Sequence, residues 1–211
     1  MRKIRPILLP FMALTALLGV TTPAVAASEG GNALAYPETE MLAAFRAACT
    51  EIGDFGKARE AALSQGWAEI AADESTAGGR LVLFGEAMVQ KNPDVTMLKG
   101  PLLRRDVAGR ELFLAISGAK VDGNIAKGCR MYDFTADKPL GSNALVAFMG
   151  RPANASNMPL PGFTVESWTP GIANGHMEFE AAHVAQGTTL PANVPISGIM
   201  LKAQIVEIDK R

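Results

Sequence analysis

The sequence predicts an α+β domain in which N-terminal helices pack on one face of a roughly five-stranded antiparallel sheet. Apolar residues recur at helical spacing in the first part of the chain. Alternating apolar and polar segments fill most of the second half. The last three of these segments lie close together, and short connections favour antiparallel pairing. The element order is similar to that of PAS-like and profilin-like sheets, an analogy of order alone.

Residues 1–26 read as an export signal. Arg2, Lys3 and Arg5 open the segment, an apolar stretch runs from Ile7 to Val20, and Ala24-Val25-Ala26 is a small-x-small cleavage pattern. The 14 residues of that stretch span only about 21 Å as a helix, short of a hydrocarbon core of roughly 30 Å. Cleavage after Ala26 is expected, with Ala27 as the alternative. No later run of 18 apolar residues follows, so no membrane-spanning segment is expected after cleavage. Residues 27–36 read as a flexible tail and residues 37–211 as a single domain.

Pro37 opens the first helix, where a missing N–H costs nothing, and Glu38 and Glu40 complement the dipole. Met41, Leu42, Phe45, Ala48, Cys49 and Ile52 form its apolar face, and Gly53 ends it. Asp54 is placed to cap a second helix from Phe55 to about Gln65, with Ala58, Ala61, Ala62 and Leu63 inward. Residues 80–90 (RLVLFGEAMVQ) fit a helix better than a strand. Asn92-Pro93-Asp94 and Gly100-Pro101 are turn signals, and Lys99, Arg104, Arg105 and Arg110 read as a solvated loop or an anion-contacting patch. Strands are expected at 111–117, 127–134, 162–169, 175–184 and 198–208. A short helix is expected at 142–149, capped by Ser142 and stopped by Gly150.

The chain carries 20 basic and 21 acidic side chains in 211 residues. Losing the signal would leave 17 basic groups against 21 acidic ones, moving the charge from −1 to −4. A mildly acidic chain does not fit a nucleic-acid binder that relies on positive charge. Cys49 and Cys129 are the two cysteines, and an exported chain meets an oxidising compartment. A Cys49–Cys129 disulfide is therefore expected, the alternative being two separate buried thiols.

Three stretches together are similar to small exported proteins of Gram-negative bacteria whose function is uncharacterised. They are FRAACTEIGDFGKAREAALSQGW, GRELFLAIS, and GCRMYDF followed by a helix ending in MGRP, within residues 41–67 and 109–152. The resemblance implies an exported α+β domain with paired cysteines and no assigned catalytic residues.

Two His and two Glu fall within eight residues: His176, Glu178, Glu180 and His183. These are zinc-ligand and acid–base residue types. On a strand His176, Glu178 and Glu180 would share one face and His183 the other, so no metal site is expected. Ser117 and Lys120 spell SxxK, but Ser117 ends an apolar strand rather than sitting on a helix. No GxSxG elbow or phosphate loop is present, and no cofactor is expected. The loops 150–162 and 185–197 could flank a pocket lined by Tyr132, Phe134, Trp168 and Met200 if the helices leave that sheet face partly open; otherwise these four are core. The expected role is a periplasmic or secreted domain that binds a ligand or protein partner without catalysis. The alternative is a periplasmic hydrolase using His176 or His183 with nearby carboxylates. A purely structural accessory of the cell envelope is a third reading.

Overall fold

Residues 35–208 are described by a computed structural model. The export-signal stretch and residues 27–34 of the tail lie outside the described residues. From Tyr36 onward the described chain forms one compact unit. Its helices are α1 (Glu38–Cys49), α2 (Phe55–Ser64), α3 (Ala77–Gln90) and α4 (Ser142–Met149). Its strands are β1 (Ala68–Ile70), β2 (Val95–Val107), β3 (Arg110–Val121), β4 (Asn124–Asp133), β5 (Ala155–Leu160), β6 (Phe163–Trp168), β7 (Glu178–Val184) and β8 (Gly198–Glu207). They form one antiparallel sheet of eight strands in the order β1-β2-β3-β4-β8-β7-β6-β5.

The α+β class is as expected, but the strand count and the placement of the helices are corrected. The added strands are β1, β2 and β5. The basic stretch from Lys99 to Arg105 lies within β2, not in a loop. Gly100-Pro101 is a bulge in that strand, where the pairing jumps from Lys99↔Ser117 to Leu102↔Ala115. A bulge leaves one residue outside the ladder, which accommodates a proline without a donor. The β3–β4 connection is the two-residue turn Asp122-Gly123, with φ of 50° and 83°. Positive φ at both centres makes the turn whose twist matches the strands it joins.

Alternation divides the sheet into two faces. One face carries the row Leu103, Leu114, Met131, Leu201, Ala181, and beside it Ile116, Cys129, Ala203, Phe179, Trp168, each residue paired across strands with the next. Helices α1, α2 and α4 cover this face, and their buried residues join it in one core. All six residues expected on the apolar side of α1 are buried. Asp54 accepts hydrogen bonds from the amides of Gly56 (2.8 Å) and Lys57 (3.1 Å), capping α2 as anticipated. The cap of α4 differs. Its N-cap is Gly141 rather than Ser142, no side chain caps its first-turn amides, and the Gly141 amide itself donates to Glu38 Oε1 on α1 at 2.5 Å.

Cys49 and Cys129 are bonded, with Cα atoms 5.6 Å apart, joining the buried side of α1 to the middle of the sheet. Phe45 on α1 and Phe148 on α4 both meet Phe179, at 5.6 and 5.4 Å between ring centres. Tyr36, read from sequence as part of the tail, is held to the fold. Its hydroxyl donates to Asp133 Oδ2 at 2.7 Å.

Helix α3 lies on the opposite face, against the expectation that all helices share one. Its first turn is pressed onto its neighbours at two glycines. A Cβ on Gly78 would come within 2.5 Å of the Phe113 ring, and one on Gly79 within 1.9 Å of the Asp73 carbonyl oxygen. Helix propensity favours alanine by about 1 kcal/mol, but a backbone collision outweighs it. Gly79→Ala is therefore expected to lose about 1–3 kcal/mol of stability, measured as a lower urea midpoint.

Candidate functional site

Helix α3 is apolar along most of its length, yet only Gly78 and Gly79 are buried in it. After these glycines, Leu81, Val82, Phe84 and Gly85 face a cavity of about 480 Å³ rather than a packed sheet. That volume lies in the range of ordinary small-molecule sites, about 300–1,000 Å³.

The floor is formed by β2, β3 and β4. On the core face β3 presents Leu114 and Ile116, which are buried. On the cavity face the neighbouring positions are Ala115 and Ser117. Small side chains beneath an apolar helix leave volume that neither surface fills. The bulge residues Gly100 and Pro101, with Met97 and Leu102, complete the β2 wall, and Val194 approaches from the loop before β8. At the rim, Lys99 Nζ reaches Glu86 Oε2 at 2.7 Å and ties β2 to α3.

Arg130 and Tyr132 bring polarity to the floor from β4. The Arg130 guanidinium makes one long contact, donating to Ser117 Oγ at 3.4 Å. Its cross-strand neighbour Lys202 takes Glu178 and Glu180, at 3.1 and 2.8 Å. No described carboxylate lies within ion-pair distance of Arg130. Burial pushes the Tyr132 phenol up to about 12, with the Arg130 charge opposing in part, so the group stays protonated near neutrality.

Of the four expected pocket residues, Tyr132 lines the cavity. Phe134 stacks on it with ring centres 5.4 Å apart, and meets Phe113 edge-on. Met200 pairs with Tyr132 across the sheet but is not part of the cavity wall. Trp168 belongs to the core face, fully buried against Phe179, with its indole N–H donating to the Arg151 carbonyl at 3.1 Å. Of the two expected flanking loops, 185–197 supplies Val194, whereas 150–162 contains β5 at the far edge of the sheet.

The His/Glu group does not assemble. Glu178 and Glu180 are bound to Lys202 on the cavity side of the sheet. His183 lies on the core side, beside Leu140 and Leu145. His176 precedes β7 instead of belonging to it, and its Nε2–H donates to the Thr50 carbonyl at 3.0 Å, at the end of α1. Burial holds the His176 imidazole below its ordinary pKa, partly offset by the Thr50 carbonyl and Glu51. The residues from Glu178 to His183 alone extend roughly 16 Å, so β7 holds the two imidazoles apart. Among the described residues, no group of three or more His, Cys, Asp or Glu is placed to hold a metal ion. Ser117 and Lys120 project from opposite faces of β3, three positions apart on a strand, which removes the SxxK geometry.

Sequence reasoning missed the roles of α3, Ser117 and Arg130. The signal available was the pairing of an apolar helix opening on Gly78-Gly79 with a strand whose second face is small.

Fold and cavity together define an α+β domain with one antiparallel sheet, a buried disulfide on one side and a cavity of small-molecule size on the other. No family model, curated protein or solved structure matches the chain. Among the described residues, no helix is long and apolar enough to cross a membrane.

Proposed function

We propose that this chain is an exported, periplasmic or secreted domain that binds a small apolar molecule between α3 and the sheet. The cavity beneath α3 carries the binding part of this reading. A helix with so many apolar side chains left short of burial is poorly satisfied alone, and a ligand would complete its packing. The export part rests on the leader-like residues 1–26 and on the likeness to small exported proteins. The buried Cys49–Cys129 bond supports it, since such bonds persist in oxidising compartments.

Gly85 provides the test. It lines the cavity, and a Cβ there would meet nothing within 4 Å. Gly85→Leu should extend a side chain into the space and raise helix propensity by about 0.5–1 kcal/mol. The expected result is a more stable protein that no longer binds a neutral, environment-sensitive probe such as N-phenyl-1-naphthylamine, while the wild type binds and enhances its fluorescence. Undiminished binding by the leucine variant would place the probe elsewhere, and failure of the wild type to bind would overturn the proposal.

A further inference from the structure

We infer that the molecule taken up beneath α3 is an anionic amphiphile, with an apolar tail along the helix and a carboxylate or phosphate monoester head held by Arg130. This deepens the reading of the cavity as a binding site and rests on it.

The apolar side is formed by Leu81, Val82 and Phe84 on α3, facing Met97 and Leu102 on β2. The polar end is concentrated on two neighbouring residues of one strand. Arg130 is half-buried in the floor, and among the described residues its side chain makes a single hydrogen bond, the 3.4 Å contact with Ser117 Oγ. That separation exceeds the usual 2.7–3.2 Å and leaves most of the guanidinium fork without a protein acceptor. In the cross-strand row Lys202 lies between Arg130 and Glu180, and it engages both Glu180 and Glu178.

Tyr132 is an independent indication of a ligand. It is 5% exposed and lines the cavity, and among the described residues its hydroxyl makes no hydrogen bond. The Tyr132 oxygen is not one of the buried polar atoms left unpaired, so it opens onto the cavity, where it can donate to a ligand oxygen. The phenol remains protonated well above neutral pH, so it is available as a donor. Arg130, Tyr132 and Ser117 thus present donors to the cavity, whose other charged lining residues are already paired, Glu69 with Arg59 and Glu86 with Lys99. The guanidinium fork matches the two oxygens of a carboxylate or phosphate. The other cation at the cavity, Lys99, is bound to Glu86 and largely exposed, so Arg130 is the cation left to receive the head.

The test compares three probes with the same tail: dodecanoate, dodecyl phosphate and dodecanol. Each is titrated as a competitor of N-phenyl-1-naphthylamine against the wild type, Arg130→Gln and Tyr132→Phe. The wild type should bind at least one anion about tenfold or more tightly than the alcohol, the scale of a charge-assisted hydrogen bond. Whichever anion is preferred identifies the head. Arg130→Gln should abolish that preference, bringing the affinity for the preferred anion down to that for dodecanol, and Tyr132→Phe should reduce it several-fold. Equal affinity for alcohol and anions, or a preference that survives Arg130→Gln, would overturn the head-group assignment while leaving an apolar pocket in place. If the fluorescent probe and all three amphiphiles fail to bind, the cavity reading falls with it. Thermal melts of the two variants establish that they are folded, so a loss of preference is not a loss of structure.

Discussion

Replacing Cys49 and Cys129 together with alanine is expected to cost about 3–5 kcal/mol of stability. The bond links residues 80 positions apart, and loop-closure entropy of that length corresponds to about 4–5 kcal/mol. A domain of this size is stable by only about 5–15 kcal/mol, so the variant would be marginal. The position of the bond adds to its importance. Cys49 lies on the buried side of α1 and Cys129 at the centre of the sheet, both fully inaccessible to solvent. Without the bond, α1 is still held through Met41, Leu42 and Phe45, so the fold should survive in weakened form. Urea unfolding of the wild type, oxidised and after reduction in denaturant, should show the same gap as the double alanine variant. A difference below about 1 kcal/mol would mean that the unfolded chain gains little freedom from losing the link. Mass spectrometry with and without reductant checks that the starting protein is oxidised.

Replacing Arg110 with alanine should cost a similar amount, about 3–5 kcal/mol, because it strands a buried carboxylate. Asp133 is completely buried. Its oxygens accept from Arg110 Nε at 2.8 Å and Nη2 at 3.0 Å, from the Tyr36 hydroxyl at 2.7 Å, and from the Thr135 amide and hydroxyl at 2.9 and 2.8 Å. Burial pushes the Asp133 carboxyl up, but the Arg110 fork, Tyr36 and Thr135 outweigh it and hold it below its ordinary value. A carboxyl depressed on folding contributes stability that is present above its unfolded pKa of about 3.9 and lost as pH falls through the lower folded value. The wild type should therefore lose stability on acidification below about pH 4. In Arg110→Ala the opposing burial effect dominates, and protonation relieves the stranded charge. The penalty of the substitution should accordingly shrink in acid. Urea midpoints measured from neutral pH to about pH 3 follow both effects. A penalty unchanged across that range would show that Arg110 acts through packing alone. An Arg110→Met, Asp133→Leu double variant removes both charges and should recover most of the loss.

The parts of the fold that could be read from sequence are those whose signals are local. The apolar face of α1, from Met41 to Cys49, is a repeat within one helix and needs no partner to be recognised, and Ile52 continues it just past the helix end. Asp54 caps α2 from the adjoining residue, and Gly150 ends α4 in the left-handed conformation. The strands that escaped detection lack such signals. β5 contains Pro159 and lies at an edge, where one side needs no partner. β1 has only three residues, and its pairing with β2 is more than thirty positions away in sequence. β2 is interrupted by Gly100-Pro101, which read as a turn until its pairing with β3 made it a bulge. Asp122-Gly123 was a legible hairpin signal, and following it would have lengthened the strands on either side.

The candidate site was only partly legible for the same reason. Tyr132 was expected at a pocket and lines one. Trp168 was expected beside it if the helices left that face open, yet it lies on the covered core face. Neither assignment follows from alternation within a single strand, because alternation distinguishes two faces without saying what covers each. His176 was assigned a face as though β7 began before it, whereas the strand starts at Glu178.

By itself, the sequence determined the α+β class, the mildly acidic charge, the core side of α1 and the two cysteines available to pair. Tertiary structure alone decided that Cys49 reaches Cys129, that α3 crosses to the opposite face, and that a space remains beneath it. Helical and strand periodicity arise from contacts between residues a few positions apart. Volume, burial and the lack of a carboxylate partner for Arg130 among the described residues are set by surfaces that meet only after the chain has folded.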